Sequence, residues 1–525
     1  MRLERIASLV LAVLMLTMPL ATCDAVGDSS SKPIINLTIE GDPTMLDPPL
    51  SAEYQSGLLD FIFEGIMRLD KDEYVVPGIA TEYDVSEDGT VFTYHLREDV
   101  KFQDGTDCNA EAVKWNYERQ MPGNATPDMP YADFFSNFVS VEAPDACTVV
   151  ITVAEPDATL PGTLCSMNAG GLCSPTAWQA DPIAFQRNPV GAGPYTLSEW
   201  ATEQYIKLAP YDGYYGGEFA NSGIYLKVVK EQTVRYSEFL AGNADYQMGI
   251  GEIDKNTFAN AGYEIYAQLT GLGLNYIAFS DYETNRFFSD IRVRQAVLHA
   301  LDMNSLVKGV FGESATFLKS FINPAHEAGR RDYSYCEYDP EKATALLTEA
   351  GYPDGFSFVM ITRAEPDYVN MAAAIQAELA KVGINMQLTV MQRGDWLGKM
   401  YMDPAEKDYD AISFAWGAGS LADVATLFYS ENIGGGFNLT GYNNPAFDAL
   451  YQEGKRTFDS QKYADIFVEA AQLCNDDAIG IWLQSKPSFW VKQPKLFDAD
   501  AADGDVSVFG TKETGYWRHI GKTEG

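Results

Sequence analysis

"FSFVMITRAEPDYVNMAAAIQAELAKVGINMQLTVM", residues 356 to 391, changes its hydrophobic period twice. "FSFVMIT" is apolar and β-branched, as a strand requires, and "NMAAAIQAELAKV" is a run of helix formers stopped by Gly383. "INMQLTVM" then places Ile384, Met386, Leu388 and Val390 on one side of a second strand. Two strands joined through a helix need a crossover, which predicts a parallel pair of right-handed sense. Upstream, Asp339 is placed to cap a helix with Pro340 at its first position, a buried stripe of Ala343, Leu346, Leu347 and Ala350, and an end at Gly351. Downstream, "YDAISFAW" (409–416) supplies a further strand, so this part of the chain is an α/β unit.

That last strand runs into Trp416, Gly417, Ala418, Gly419 and Ser420. In open α/β sheets ligands sit beyond the carboxyl ends of the strands. A flat ring there can wall a slot, and residues without side chains let a ligand approach backbone donors and acceptors. The same residues would also suit a core tryptophan followed by an ordinary turn. Nearer the N-terminus, "TVFTYHLREDVKFQDGTDCNAEAVKWNYERQM" (90–121) alternates to bury Phe92, Tyr94 and Leu96, turns at Asp104-Gly105, and offers Asn109 as cap for a helix with Ala110, Val113 and Tyr117 on one face.

The chain has 525 residues, 46% of them hydrophobic, enough for one or two large cores. Its 74 acidic against 37 basic side chains leave a net charge of -37, which opposes binding to phosphate backbones and argues against a nucleic-acid partner. "MRLERIASLVLAVLMLTMPLATC" sets Arg2 and Arg5 before an apolar run broken by Pro19, the layout of an export signal over residues 1–22. "LATC" resembles a bacterial lipobox, with Thr22 where Gly, Ala or Ser is usual, and makes Cys23 the expected lipidation site, with plain secretion as the alternative; residues 23–33 read as a polar tether. Membrane contact is expected through that anchor only. The six other cysteines, Cys108, Cys147, Cys165, Cys173, Cys336 and Cys474, form no CxxC pair, and their pairing cannot be read from spacing.

Five blocks in order resemble the extracytoplasmic solute-binding proteins that include the dipeptide- and oligopeptide-binding components of ABC importers. They are "YHLREDVKFQDGTDCNAEAVKWNYER" (94–119), "NPVGAGPYTLSEW" (188–200), "FFSDIRVRQAVLHALDMNSLV" (287–307), "YDPEKATALLTEAGYPDGFSF" (338–358) and "IQAELAKVGINMQLTVMQRGDW" (375–396). The resemblance implies a class II periplasmic-binding fold: two α/β lobes around a cleft, with an extra subdomain in the N-terminal lobe. Lobe I is expected at 34–274 plus 485–525, with the subdomain at 62–187, and lobe II at 275–484. "GLGLNYIAFS" and "IGIWLQSKP" would be the two crossings, able to act as a hinge.

Members of the family that bind short peptides hold the ligand ammonium with an aspartate three residues after the tryptophan matching Trp416; here that position is Gly419. The nearest acid, Asp423, has two readings, a ligand contact or a cap for the helix "VATLFYS". Arg363 lies near where dipeptide binders place an arginine for the ligand carboxylate, a geometry a guanidinium fork suits, and it would otherwise be a surface arginine. Thr44, Met45 and Leu46 match a cleft-facing loop, with core packing as the alternative for Leu46. With Trp416, Gly417, Ala418 and Gly419 these make up the expected ligand-binding set.

Ser305 and Lys308 share the SxxK spacing of penicillin-recognising enzymes without the accompanying Lys-Thr-Gly, and "DADAADGD" (498–505) has the wrong register for an EF-hand. His95, His299, His326 and His519 are scattered, and no GxSxG or HExxH motif occurs, so neither a metal, a cofactor nor a catalytic centre is expected. The expectation is a monomeric, non-catalytic, extracytoplasmic receptor that captures a short peptide and passes it to an ABC permease. A sugar or other amphipathic solute, a secreted hydrolase and a sensor ectodomain are the competing readings.

Overall fold

The computed structural model describes residues 32–523 apart from 52–55, 71–73, 127, 270–271, 282–283, 401, 403–405, 435–436 and 507–515. The expected signal peptide, Cys23 and nearly all of the tether lie outside the described residues.

The crossover read from the opening stretch is present. Strands Phe356–Arg363 and Ile384–Met391 pair in parallel from Phe356 opposite Ile384 to Arg363 opposite Met391, with helix Pro366–Ala380 between them in sequence. Gly355, at φ +78°, makes the tight entry to the first strand; a Cβ there would collide with the carbonyl oxygen of Gly383. Ala411–Trp416 joins in parallel, and Leu274–Phe279 and Gly480–Trp482 complete a five-stranded sheet in the order 384–391, 356–363, 411–416, 274–279, 480–482. Ile384 and Met386 are buried as expected, whereas Val390 is 46% exposed, because this edge strand runs past the end of the core. Asp339 caps helix Pro340–Glu349 through the amide of Lys342.

The apolar cores separate along the chain. One cluster runs from Leu274 to Leu483 and fills the faces of the five-stranded sheet. A second, Ile66 to Ala192, packs helix Ala110–Glu118 on an antiparallel sheet of Ala80–Val85, Val91–Leu96, Thr148–Val153 and Phe138–Asp145. Phe92, Tyr94 and Leu96 are buried and Asn109 caps the helix, as the alternation predicts. A third cluster gathers Ile35, Tyr195, Leu226, Trp490 and Ile520 around the sheet of Ile34–Ile39, Gly223–Val228, Tyr205–Pro210 and Tyr195–Ala201.

The C-terminal segment is sewn into this last body by a buried charge. Asp245, fully buried, accepts the amide of Asn36 at 2.7 Å and pairs with Lys522 at 2.5 Å and Lys495 at 3.4 Å. The two backbone crossings lie side by side. Tyr266–Gln268 and Ser488–Lys492 pair antiparallel at one end, and Leu274–Phe279 and Gly480–Trp482 at the other.

Candidate functional site

Trp416 closes its strand and Arg363 closes the neighbouring parallel strand, so the topology alone brings both to one edge of the sheet. Aromatic contacts join them: the Arg363 guanidinium lies 5.3 Å from the ring centroid of Trp396, which stacks on Phe414 at 6.1 Å, which stacks on Trp416 at 6.1 Å. Trp416 is only partly buried and meets Phe437 at 4.5 Å. It is therefore a ledge at the core boundary, with one face supported and part of its surface free.

The loop after it is short because it is stitched to itself. The Trp416 indole donates to the carbonyl of Asp423 at 3.1 Å, and the amide of Gly419 donates to the Asp423 carboxylate at 3.1 Å. Ser420 caps helix Leu421–Ala425 by accepting the amide of Asp423. The cap of this helix is thus Ser420 and not Asp423, which sits in the first turn, where an acid favours the helix dipole. Gly417 and Gly419 are exposed and no atom crowds a Cβ at Gly417, so the Gly417 peptide is open to a bound molecule, while the Gly419 amide is already taken by Asp423. Burial lifts the Asp423 carboxyl above its ordinary range; hydrogen bonds from Ser420 and Gly419 oppose this, and the negative charge of Asp157 adds to it. Asp423 is exposed as a residue, yet its carboxyl faces a crowded corner between Asp157, Tyr451 and Tyr463.

Arg363 is mostly buried, with its side chain 15% exposed, its Nε 2.8 Å from Glu365 and its guanidinium 4.0 Å over the ring of Tyr368. Neither the Arg363 Nε nor the facing Glu365 oxygen has an aligned hydrogen bond, so the pair balances charge while leaving hydrogen-bonding capacity. Its burial overturns the reading as a surface arginine.

The loop of Thr44, Met45 and Leu46 belongs to the third apolar body, around Ile35 and Tyr195. Leu46 is fully buried in the core of that body, and its amide donates to Gln186 at 2.9 Å. Its side chain is a packing residue, which corrects its place in the expected ligand set; Thr44 is exposed and Met45 partly buried. The loop is held from below by Asp47, 1% exposed, which accepts Arg119 at 2.6 and 3.1 Å and the Trp178 indole at 2.8 Å. The Arg119 guanidinium lies near the rings of Trp115 and Trp178, 5.1 and 5.4 Å from their centroids.

The Ile66–Ala192 body touches the Leu274–Leu483 body. Ala158 donates its amide to Lys455 at 2.7 Å, and Phe458 packs on Phe92 at 5.8 Å, which carries Asp157 toward Asp423. Asp47, Arg119, Asp157, Tyr368 and Trp396 were not picked out as site residues from sequence. The partners of Asp47, Arg119, Asp157 and Trp396 are distant in the chain, and only the run "EPDAT" marks Asp157, as a turn.

Two α/β bodies joined by paired crossings, with an aromatic ledge and an exposed glycine at strand ends, define a two-lobed solute-binding protein. The family model for bacterial extracellular solute-binding proteins, family 5 (middle region), matches residues 74–436, and the chain belongs to that family. The chain is 27% identical over 453 residues to heme-binding protein A of Haemophilus influenzae, covering 80% of this chain and 81% of that protein. It is 28% identical over 480 residues to the glutathione-binding protein GsiB of Salmonella typhi, covering 88% and 92%. Among solved structures it superposes on HbpA2 from Haemophilus parasuis with a TM-score of 0.81 at 21% identity, over 94% of this chain and all (100%) of that one. The fold is the class II periplasmic-binding fold, and the protein is a solute-binding receptor of the ABC-importer type.

Proposed function

We propose that the solute is a short peptide, held in the cleft between Asp423 and Arg363 across the Trp416 ledge and handed to the permease when the lobes close. The observation that carries this reading is the placement of a poorly solvated carboxylate and a partly buried guanidinium on one sheet edge, at opposite ends of an aromatic strip. A peptide is a zwitterion whose ammonium and carboxylate match those ends, and its backbone can pair with the exposed peptide group of Gly417. GsiB, a relative over most of the chain, is named for a peptide ligand, glutathione. Thr44 and Met45 would meet the solute from the opposite lobe.

We place lobe I at 34–274 plus 485–525 and lobe II at 275–484, with 62–187 as the added subdomain; the apolar cluster from Leu274 to Leu483 supports the division between lobes, while Met167, Cys173 and Phe185 pack with Ile35 and Tyr195 and tie the end of the subdomain to the rest of lobe I. Only a solute touching both lobes favours the closed arrangement, and moving from mostly open to mostly closed needs about 5.5 kcal/mol of differential binding. The receptor acts as a monomer, without a cofactor or catalysis, outside the cytoplasmic membrane, tethered by a lipid on Cys23; intact-mass measurement of membrane-extracted protein checks the lipid.

The test is a thermal-shift and calorimetric screen of the mature protein against di- and tripeptides, glutathione, haem and oligosaccharides. A ligand at about 100 times its Kd stabilises by about 2.7 kcal/mol and stands out. Peptides are expected to bind, and Asp423→Asn to weaken them at least tenfold. Stabilisation by sugars or haem alone would overturn the peptide reading.

A further inference from the structure

Alternation along the strands puts Ser413 on the face of the five-stranded sheet opposite to Trp416, in register with Ile277, beside Thr362 and on the same face as Met360. On that face a cavity of about 120 Å³ lies between the sheet and helix Pro366–Ala380, lined also by Tyr368, Asn275 and Gln484. Tyr368 is shared: its ring carries the Arg363 guanidinium and also walls the cavity. Asn275 and Gln484 belong to the two crossing segments.

The cavity has an apolar flank and an unsatisfied polar end. Gln484 is 7% exposed, and its Oε1 has no hydrogen-bond partner. Asn275 reaches the backbone carbonyl of Gln484 only at 3.4 Å and receives the Tyr368 hydroxyl only at 3.5 Å. The hydroxyls of Ser413 and Thr362 satisfy one another at 2.7 Å. A buried acceptor without a donor costs about 1–3 kcal/mol, and such a group calls for an explanation. The space admits a short side chain of several heavy atoms.

The chemistry of the occupant follows. A charged amine placed there would need a carboxylate, and Asp367, at the solvent end, is already paired with Lys486. A neutral primary amide needs none: its N–H groups can meet Gln484 Oε1, its oxygen can accept from Asn275 or Tyr368, and its methylenes fit Ile277 and Met360. We propose that this cavity is a specificity subsite for a short neutral arm ending in a primary amide, a glutamine-type side chain of the captured solute. The proposal rests on the peptide reading above.

The experiment is calorimetric titration with tripeptides of alanine carrying one glutamine, or its apolar isostere methionine, at the first, second or third position. At one position glutamine is expected to bind about tenfold tighter than methionine, which is about 1.4 kcal/mol. In Gln484→Met that preference disappears. Ala372→Leu, which fills the cavity from the helix, removes the preference as well, so a folding failure of one variant leaves the other decisive. Equal affinities at all three positions, or a preference that survives both variants, overturn the subsite and leave the receptor reading intact. If no tripeptide binds, the peptide reading fails and the subsite falls with it.

Discussion

The two loops expected to face the solute are held in opposite ways. The Trp416–Asp423 loop depends on its own neighbours: the contacts from Trp416, Gly419 and Ser420 to Asp423 span seven residues or fewer. The Thr44–Asp47 loop depends on strangers: Asp47 is fixed by Arg119 and Trp178, 72 and 131 residues away. A locally stitched loop keeps its shape whatever the rest of its lobe does, while a loop hung on a buried ion pair is rigid only while both charges are present. The difference predicts where substitutions unfold the protein and where they only blunt it.

The largest effect is expected at the ion pair. Arg119→Ala leaves Asp47 charged, 1% exposed and with the Trp178 indole as its remaining side-chain donor. Breaking such a pair costs about 3–5 kcal/mol, read as a lowered midpoint in urea unfolding. Asp47→Asn with Arg119→Met, which removes both charges, should recover most of that loss; no recovery would mean that the loop is held by packing and not by charge.

Next comes Trp416→Ala. The ring is partly buried, so the ligand-free fold should survive, while affinity for the solute falls about 30-fold or more, the loss of about 2 kcal/mol that marks a central aromatic contact. Unchanged affinity in calorimetry would return Trp416 to the core and erase the contrast between a ledge and a packing residue.

How much of this was legible in the sequence follows the same division. The crossover at 356–391, the caps at Asn109 and Asp339, and the strand ending at Trp416 were legible because periodicity and capping act within a few residues. Of the two readings of Asp423, the cap is excluded, because Ser420, three residues earlier, is as good a cap and takes that place. Leu46 looked open to the cleft and proved to be core, since nothing local tells which side of a loop faces inward. Asp47 with Arg119, and Asp157 with Asp423, were illegible because charge pairing across the chain has no period.

A smaller effect tests the local loop. Ser420→Ala removes the acceptor for the Asp423 amide and should cost about 1 kcal/mol, with affinity for the solute falling only as far as the loop loosens. An effect as large as that of Arg119→Ala would mean that the local stitches are not the modest contacts their geometry implies.

The smallest effect lies in the carboxyl of Asp423 itself. Burial raises its pKa above the ordinary 3.8, so the folded state prefers the protonated group. The associated stability is present in full below 3.8 and is lost as pH rises through the folded value, so the ionised group is a small burden at neutral pH. Asp423→Asn keeps an acceptor for Gly419 and removes that burden. The ligand-free variant should therefore melt slightly higher than the parent at pH 7, on the order of 1 °C, with the two curves converging at pH 3. A gain that persists at pH 3 would be a packing effect of the amide, whereas a gain confined to neutral pH marks a charge kept at a cost to the fold, as a site built to meet a cation would keep it.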